Sequence, residues 1–175
     1  MQSFDDIKLI DLALDGSQAA YRMLYDKHVD SLFRFVQQFR NTRSDTADLV
    51  QQSFIKCFTK LHAFQKQSSF KTWLFGIAVR EMQMDWRTWK DRIFEEIDED
   101  QLLPNEDEDK LVTADIFKQV HKLDEQKKMV FLLFEVEGYS HKEISELLEI
   151  KESHCRTVLT RAKHELRNRL KESHP

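Results

Sequence analysis

Turn-forming residues are scarce in this chain. Its 175 residues include three glycines and two prolines, and one proline is the last residue. Long unbranched side chains are abundant instead, and together these features predict an all-helical protein. No run approaches the roughly 20 apolar residues that a membrane span requires, so no membrane insertion is expected. The N-terminal stretch MQSFDDIKLIDLALDG places two aspartates before its apolar residues and has no basic region. That excludes a secretory signal and makes the cytoplasm the expected location. The two cysteines, Cys57 and Cys155, lie far apart and neither belongs to a CxxC pair; buried free thiols are expected. Also absent are a Gly-rich phosphate loop, a nucleophile elbow and an HExxH pair. The seven histidines are scattered, and Asp45 with Asp48, or Glu135 with Glu137, are ordinary helix-surface pairs. No catalytic residue, no metal site and no cofactor is expected.

Charge is present but unevenly spread. The formal net charge is −4, which at first argues against a nucleic-acid binder. Residues 1–91 carry 13 basic and 11 acidic side chains, residues 111–175 carry 12 and 11, and residues 92–110 carry two and nine. The acidic excess therefore sits in one short segment, and local surface charge matters more for DNA binding than the total. Residues 95–109, EEIDEDQLLPNEDED, contain the only internal proline and bury little apolar surface. They place an acidic linker at 92–112 between a domain of residues 1–91 and a domain of residues 113–175.

Apolar periodicity predicts four helices in each domain. In the first, Ile7–Leu14 is a short amphipathic run. Ser17 caps a long helix whose core stripe is Tyr21, Leu24, Tyr25, His28, Leu32, Phe35, Val36 and Phe39. Asp45 or Thr46 starts a third helix bearing Leu49, Ser53, Phe54, Cys57, Phe58 and Leu61. After the polar stretch Gln65–Ser69, Ser69 opens a fourth, Phe70–Lys90. In the second domain the helices are Thr113–His121, Asp124–Glu137, Ser140–Leu148 and Ser153–Lys171. Gly138 stops the second, Ser140 and Glu143 form a capping box for the third, and Ser153 caps the last. A short capped helix, a tight turn and a longer basic helix make a helix-turn-helix pattern.

Two helices carry the chemistry. The last has an apolar face of Cys155, Val158, Leu159, Ala162, Leu166 and Leu170, and six basic against two acidic residues from His154 onward. A helix-turn-helix lays the N-terminal part of its second helix in the major groove. Arg156 and Arg161 are then placed for base edges or phosphates, with Ser153, His154, Thr157 and Thr160 as further hydrogen-bonding groups. The plain alternative is an amphipathic helix with a solvated basic face. The fourth helix interleaves Phe70, Trp73, Phe75, Trp86 and Trp89 with Lys71, Arg80, Arg87 and Lys90. Rings beside cations suit single-stranded nucleic acid, because bases stack on rings while cations meet phosphates. Helical spacing assigns Trp73 to the core; Trp86 and Trp89 cannot both share its face.

The run DLVQQSF from Asp48 to Phe54, followed by SFKTWLFGIA from Ser69 to Ala78, resembles the sigma-2 domain of extracytoplasmic-function sigma factors of the sigma-70 family. VFLLFEVEGYSHKEI from Val130 to Ile144, followed by CRTVLTRAK from Cys155 to Lys163, resembles their sigma-4 domain. The resemblance covers nearly the whole chain. It implies two helical domains, core RNA polymerase and promoter DNA as partners, and an anti-sigma factor as regulator. It also implies that Asp48, Gln51 and Gln52 grip the polymerase clamp helices, that Phe54 is core, and that His62–Ser69 captures a flipped base of the −10 element. Around that loop, Phe64 and Phe70 are candidates for stacking, and Gln65, Gln67, Ser68 and Arg80 for hydrogen bonds, with Lys71 and Arg87 toward phosphate. The chain departs from the family pattern in three places. Arg80 stands where Asn is usual, Met84 precedes the Asp that the family carries one position earlier, and Val158 stands where Arg is common. The first two departures leave the −10 base preference open, and with Val158 the −35 contacts are expected to rest more on Arg156 and Arg161. An ordinary helix-turn-helix regulator with a helical sensing domain is the alternative; it would need neither the DLVQQSF patch nor a strand-opening surface. An all-helical scaffold is disfavoured by the basic last helix.

Overall fold

The structure, a computed structural model, describes the backbone of residues 5–89 and 110–173 and the side chains of 5–84 and 116–171. Helices joined by short turns make up the described residues, with no strand among them. The chain divides into two compact units, Met1–Glu99 and Asp100–Pro175. The expected linker, up to residue 109, lies outside the described residues.

In the first unit, α1 (Asp6–Leu14), α2 (Gln18–Gln37), α3 (Arg43–Thr59), a 3-10 turn (Leu61–Ala63) and α4 (Phe70–Trp89) follow in order. Gly16, at φ +95°, turns the chain between α1 and α2 in a conformation that a Cβ would strain. The Ser17 hydroxyl then accepts from the Ala20 N–H at 3.3 Å, as its N-cap position predicts. α3 begins at Arg43, earlier than Asp45 or Thr46. Thr42 is the cap: its side chain accepts from the Asp45 N–H at 3.0 Å and donates to the Asp45 carboxylate at 2.7 Å. The apolar faces meet in one core. Leu9 and Ile10 of α1, Leu24, Leu32 and Phe35 of α2, Leu49, Phe54 and Cys57 of α3, and Leu74, Phe75 and Met82 of α4 are all buried. Each large apolar side chain so buried contributes on the order of 1.5–3 kcal/mol. Tyr25 is not part of this core. It lies on the surface with its ring against Phe54, 4.7 Å between centroids, because a stripe of steps of three and four wraps past the edge of the α2–α3 contact.

In the second unit, α5 (Lys110–His121), α6 (Glu125–Phe131), α7 (His141–Leu148) and α8 (Glu152–Ser173) surround Val120, Met129, Leu133, Ile144, Val158 and Ala162. α5 starts three residues before the expected Thr113, where the acidic run of the sequence ends. Asp124 caps α6, accepting from the Lys127 N–H at 2.9 Å. The helix widens into a π turn over Leu132–Val136 before Gly138, at φ +73°, reverses the chain and the Tyr139 N–H closes on the Leu133 carbonyl at 2.9 Å. Ser140 and Glu143 form the expected capping box of α7. Ser153 is not the cap of α8. The Lys151 carbonyl already accepts from the Cys155 N–H at 3.0 Å, so the helix starts at Glu152 and Ser153 sits in its first turn. Both cysteines are buried and free, and burial pushes the Cys57 thiol up to about 12.

Candidate functional site

Three surfaces carry the residues singled out from the sequence. The first is the corner between α2 and α3. Asp48, Gln51 and Gln52 are exposed and, at spacings of three and four, share one face of α3; the opposite face buries Leu49, Val50, Ser53 and Phe54. Asp48 and Gln52 line a cleft of about 310 Å³ with Phe39, Arg40, Asn41, Asp45 and Leu49. Its base is apolar, since Phe39 and Leu49 are buried side chains, and its rim is polar. That combination suits a side chain of a protein partner. The cleft residues other than Asp48 and Gln52 carried no signal of a site in the sequence, where Phe39 and Leu49 read only as core, because they meet only when α2 turns into α3.

The second surface is the loop before α4. Ser69 starts the helix by accepting from the Thr72 N–H at 3.0 Å. Phe64 is half-buried, its ring 5.0 Å from Trp73 and 6.2 Å, edge to face, from Phe70. Phe70 is core: it is buried, with its ring 5.2 Å from His28, and it is not available to stack on a base. Trp73, assigned to the core by spacing, is half-buried beside Phe64. Gln65 is exposed and Ser68 half-buried. On an α-helix, positions seven apart return to within about 20° of one face, so Trp73, Arg80 and the backbone position of Arg87 line one side of α4. Nine residues separate Lys71 from Arg80, about half a turn round the axis. Lys71 accordingly lies elsewhere, its ammonium 5.2 Å from the Phe75 ring centroid. Arg80 is exposed; the side chains of Trp86, Arg87, Trp89 and Lys90 lie outside the described residues. Phe64 and Trp73 are thus in ring contact, Arg80 stands two turns along the Trp73 side of α4, and Lys71 stands on the other side.

The third surface is the outer face of α8. Ser153, His154, Arg156, Thr157, Thr160 and Arg161 are all exposed, while Cys155, Val158, Leu159, Ala162 and Leu166 are buried. Arg156 is paired with Glu152 one turn before it. Thr157 and Thr160 donate to the Ser153 and Arg156 carbonyls at 3.0 and 2.9 Å, so either must give up that bond to donate to DNA. Arg161 opens onto a groove shared with Lys127, Thr160, His164, Glu165, Asn168 and Arg169. Glu165 is held there by Lys127 at 2.9 Å and Arg169 at 2.8 Å. Hydrogen bonds from these two cations keep its carboxyl below the usual range, and Asp124 and Glu165 raise the Lys127 ammonium. Among the described residues, no cluster of His, Cys, Asp and Glu fits a metal ion, and no helix is long and apolar enough to cross a membrane.

One helical unit with rings and a cation along α4, and a second with a helix-turn-helix whose last helix carries exposed arginines, have the make-up expected of a DNA-binding helical protein. Residues 24–92 match the family described as Sigma-70 region 2, and residues 114–166 match Sigma-70, region 4. The chain is 27% identical to the ECF RNA polymerase sigma factor SigX of Bacillus subtilis, over 87% of this chain and 84% of that protein. It is 25% identical to the ECF RNA polymerase sigma-E factor of Haemophilus influenzae, over 97% of each. Among solved structures, CnrH in complex with the cytosolic domain of CnrY is similar at a TM-score of 0.68 and 24% identity, covering 96% of this chain and 97% of that one. The sigma factor RpoE in complex with the anti-sigma factor NepR from Bartonella quintana is similar at 0.71 and 21%, covering 86% and 96%; these two likenesses concern the fold. The chain belongs to the sigma-70 family, among its extracytoplasmic-function members. It is an alternative sigma factor, which directs RNA polymerase to promoters for transcription initiation; sigma factors as a family are not enzymes.

Proposed function

We propose the following division of labour. Asp48, Gln51 and Gln52, with the cleft at the α2–α3 corner, dock core RNA polymerase. Phe64, Gln65, Ser68, Trp73 and Arg80 receive the opened −10 strand, with Arg87 following along α4 toward phosphate. Ser153, His154, Arg156, Thr157, Thr160 and Arg161 contact the −35 element in the major groove. The observation that supports this most is α8 itself: every one of its six candidate residues is exposed, on a helix presented by a capped α7. Arg156 trades Glu152 for a guanine edge or a phosphate, and the carboxylate limits indiscriminate phosphate binding by repulsion. An anti-sigma factor holds the chain inactive, as partners of that kind are seen with RpoE of the same fold, and the protein acts in the cytoplasm without catalysis of its own.

The test is pull-down and runoff transcription with core polymerase. Asp48→Ala with Gln51→Ala should weaken core binding while melting temperature stays nearly constant, since exposed polar residues on a helix move stability by about 0.5 kcal/mol. Arg156→Ala should keep core binding and lose preference at one −35 position, at a cost of about 1–3 kcal/mol if it reads a base. Unchanged core binding in the first variant would remove the α3 patch; unchanged −35 dependence in the second would move that contact elsewhere on α8.

A further inference from the structure

We propose that α1 is the positioning element for the loop that receives the −10 strand, with the Asp11–Lys66 ion pair as its clip. The inference rests on the role given above to that loop. Gln65, Lys66 and Gln67 are exposed, so no apolar burial fixes the loop tip. Lys66 nevertheless stands at φ +57°, a left-handed conformation that is costly for a residue with a Cβ. Its side chain meets α1: Lys66 Nζ lies 2.6 Å from Asp11 Oδ1, across 55 positions of sequence. The other end of α1 reaches the far side of the same loop. Asp6 Oδ2 is 3.0 Å from His28 Nε2, and Asp6 Oδ1 accepts from Lys27 Nζ at 2.6 Å. The His28 ring in turn lies against Phe70, the first residue of α4, which meets Phe64 edge to face. Between these two anchors α1 is fixed by buried Leu9, Ile10 and Ala13. One short helix therefore restrains both the tip of the loop and its exit into α4. A pocket for an extruded base gains from such restraint, because a loop ordered before the base arrives need not be ordered by it. Asp11 and Lys66 are positioning residues: neither has to touch DNA.

The competing role for Lys66 is a direct phosphate contact, and the two roles predict opposite signs for one substitution. Freeing Lys66 by Asp11→Asn would help a phosphate ligand and harm a clip. The experiment uses holoenzyme, core polymerase with the full chain, on duplex and on pre-melted promoter templates. It reads closed-complex formation, permanganate reactivity of thymines near −10, and runoff product. Asp11→Asn should lower opening of duplex template roughly two- to fivefold, the effect of a partly exposed ion pair, with closed complex unchanged and most of the loss recovered on pre-melted template. Lys66→Gly, which suits the left-handed backbone but lacks the charge, should lose as much. The exchange Asp11→Lys with Lys66→Asp should restore opening, since Asp tolerates the left-handed region. Unchanged or increased opening in Asp11→Asn, or no restoration by the exchange, would overturn the clip. Gln65→Ala with Ser68→Ala serves as the control: if it too leaves opening unchanged, the role of the loop itself fails, and if it alone lowers opening, only the clip does.

Discussion

His28 is a residue at which burial and charge oppose each other. It is buried under Phe70 beside Asp6. Desolvation outweighs the attraction of Asp6, with Lys27 and Lys71 adding repulsion, and its pKa falls below the ordinary 6.5. His121 shifts the same way through burial and Lys128. A histidine with a lowered folded-state pKa binds protons in the unfolded chain first. Its penalty is absent above about pH 6.5 and grows as pH falls from there toward the folded value. Thermal melts taken from pH 7.5 to 5.5 should therefore show a falling melting temperature before carboxylates begin to titrate, and NMR titration should place the His28 midpoint below the ordinary 6.5. A melting temperature that rises on acidification would mean that the Asp6 contact wins over burial.

The turn between α7 and α8 sets how the basic helix is presented, and it contains a local compromise. Glu149 ends α7 at φ 55° and ψ 40°, with its N–H and that of Ile150 both directed at the Ser145 carbonyl. This is the position where helices favour glycine, because a Cβ makes the left-handed conformation costly. Glu149 is exposed, and among the described residues no side-chain partner offsets that cost. Glu149→Gly should stabilise the second unit by about 0.5–1 kcal/mol, less whatever backbone entropy the unfolded chain gains. Denaturant titration would measure it, and binding to −35 DNA should stay unchanged. A loss of stability would mean that entropy in the unfolded chain outweighs the relieved strain.

At the scale of the whole molecule, charge dictates how the protein meets DNA. The net charge is −4, and residues 92–110 carry nine acids against two bases. The isolated chain should bind promoter duplex weakly, and addition of core polymerase should produce binding at least tenfold tighter that weakens steeply with salt, as counterion release requires. Fluorescence anisotropy with and without core enzyme would show it. Tight, sequence-specific binding by the free chain would mean that α8 alone overcomes the acidic segment.

The sequence by itself determined the helices and their kind. Scarce turn residues, periodic apolar stripes, Ser17, Ser69, Ser140 with Glu143, and Gly138 are local signals, and local hydrogen bonding and backbone sterics act on them without help from the rest of the chain. The exposed faces of α3 and α8 followed for the same reason, since a helix that buries one stripe must expose the other. Tertiary structure alone decided the rest. Whether Trp73 or Phe70 reaches solvent depends on which helix covers it, and periodicity is blind to that. Lys71 and Arg80 looked like one cationic set along the chain, but they stand on opposite sides of α4. The cleft under Asp48 exists because α2 turns into α3 at Thr42. The pairing of Asp11 with Lys66 exists because α1 folds back onto the loop, and no local rule links two charges 55 residues apart.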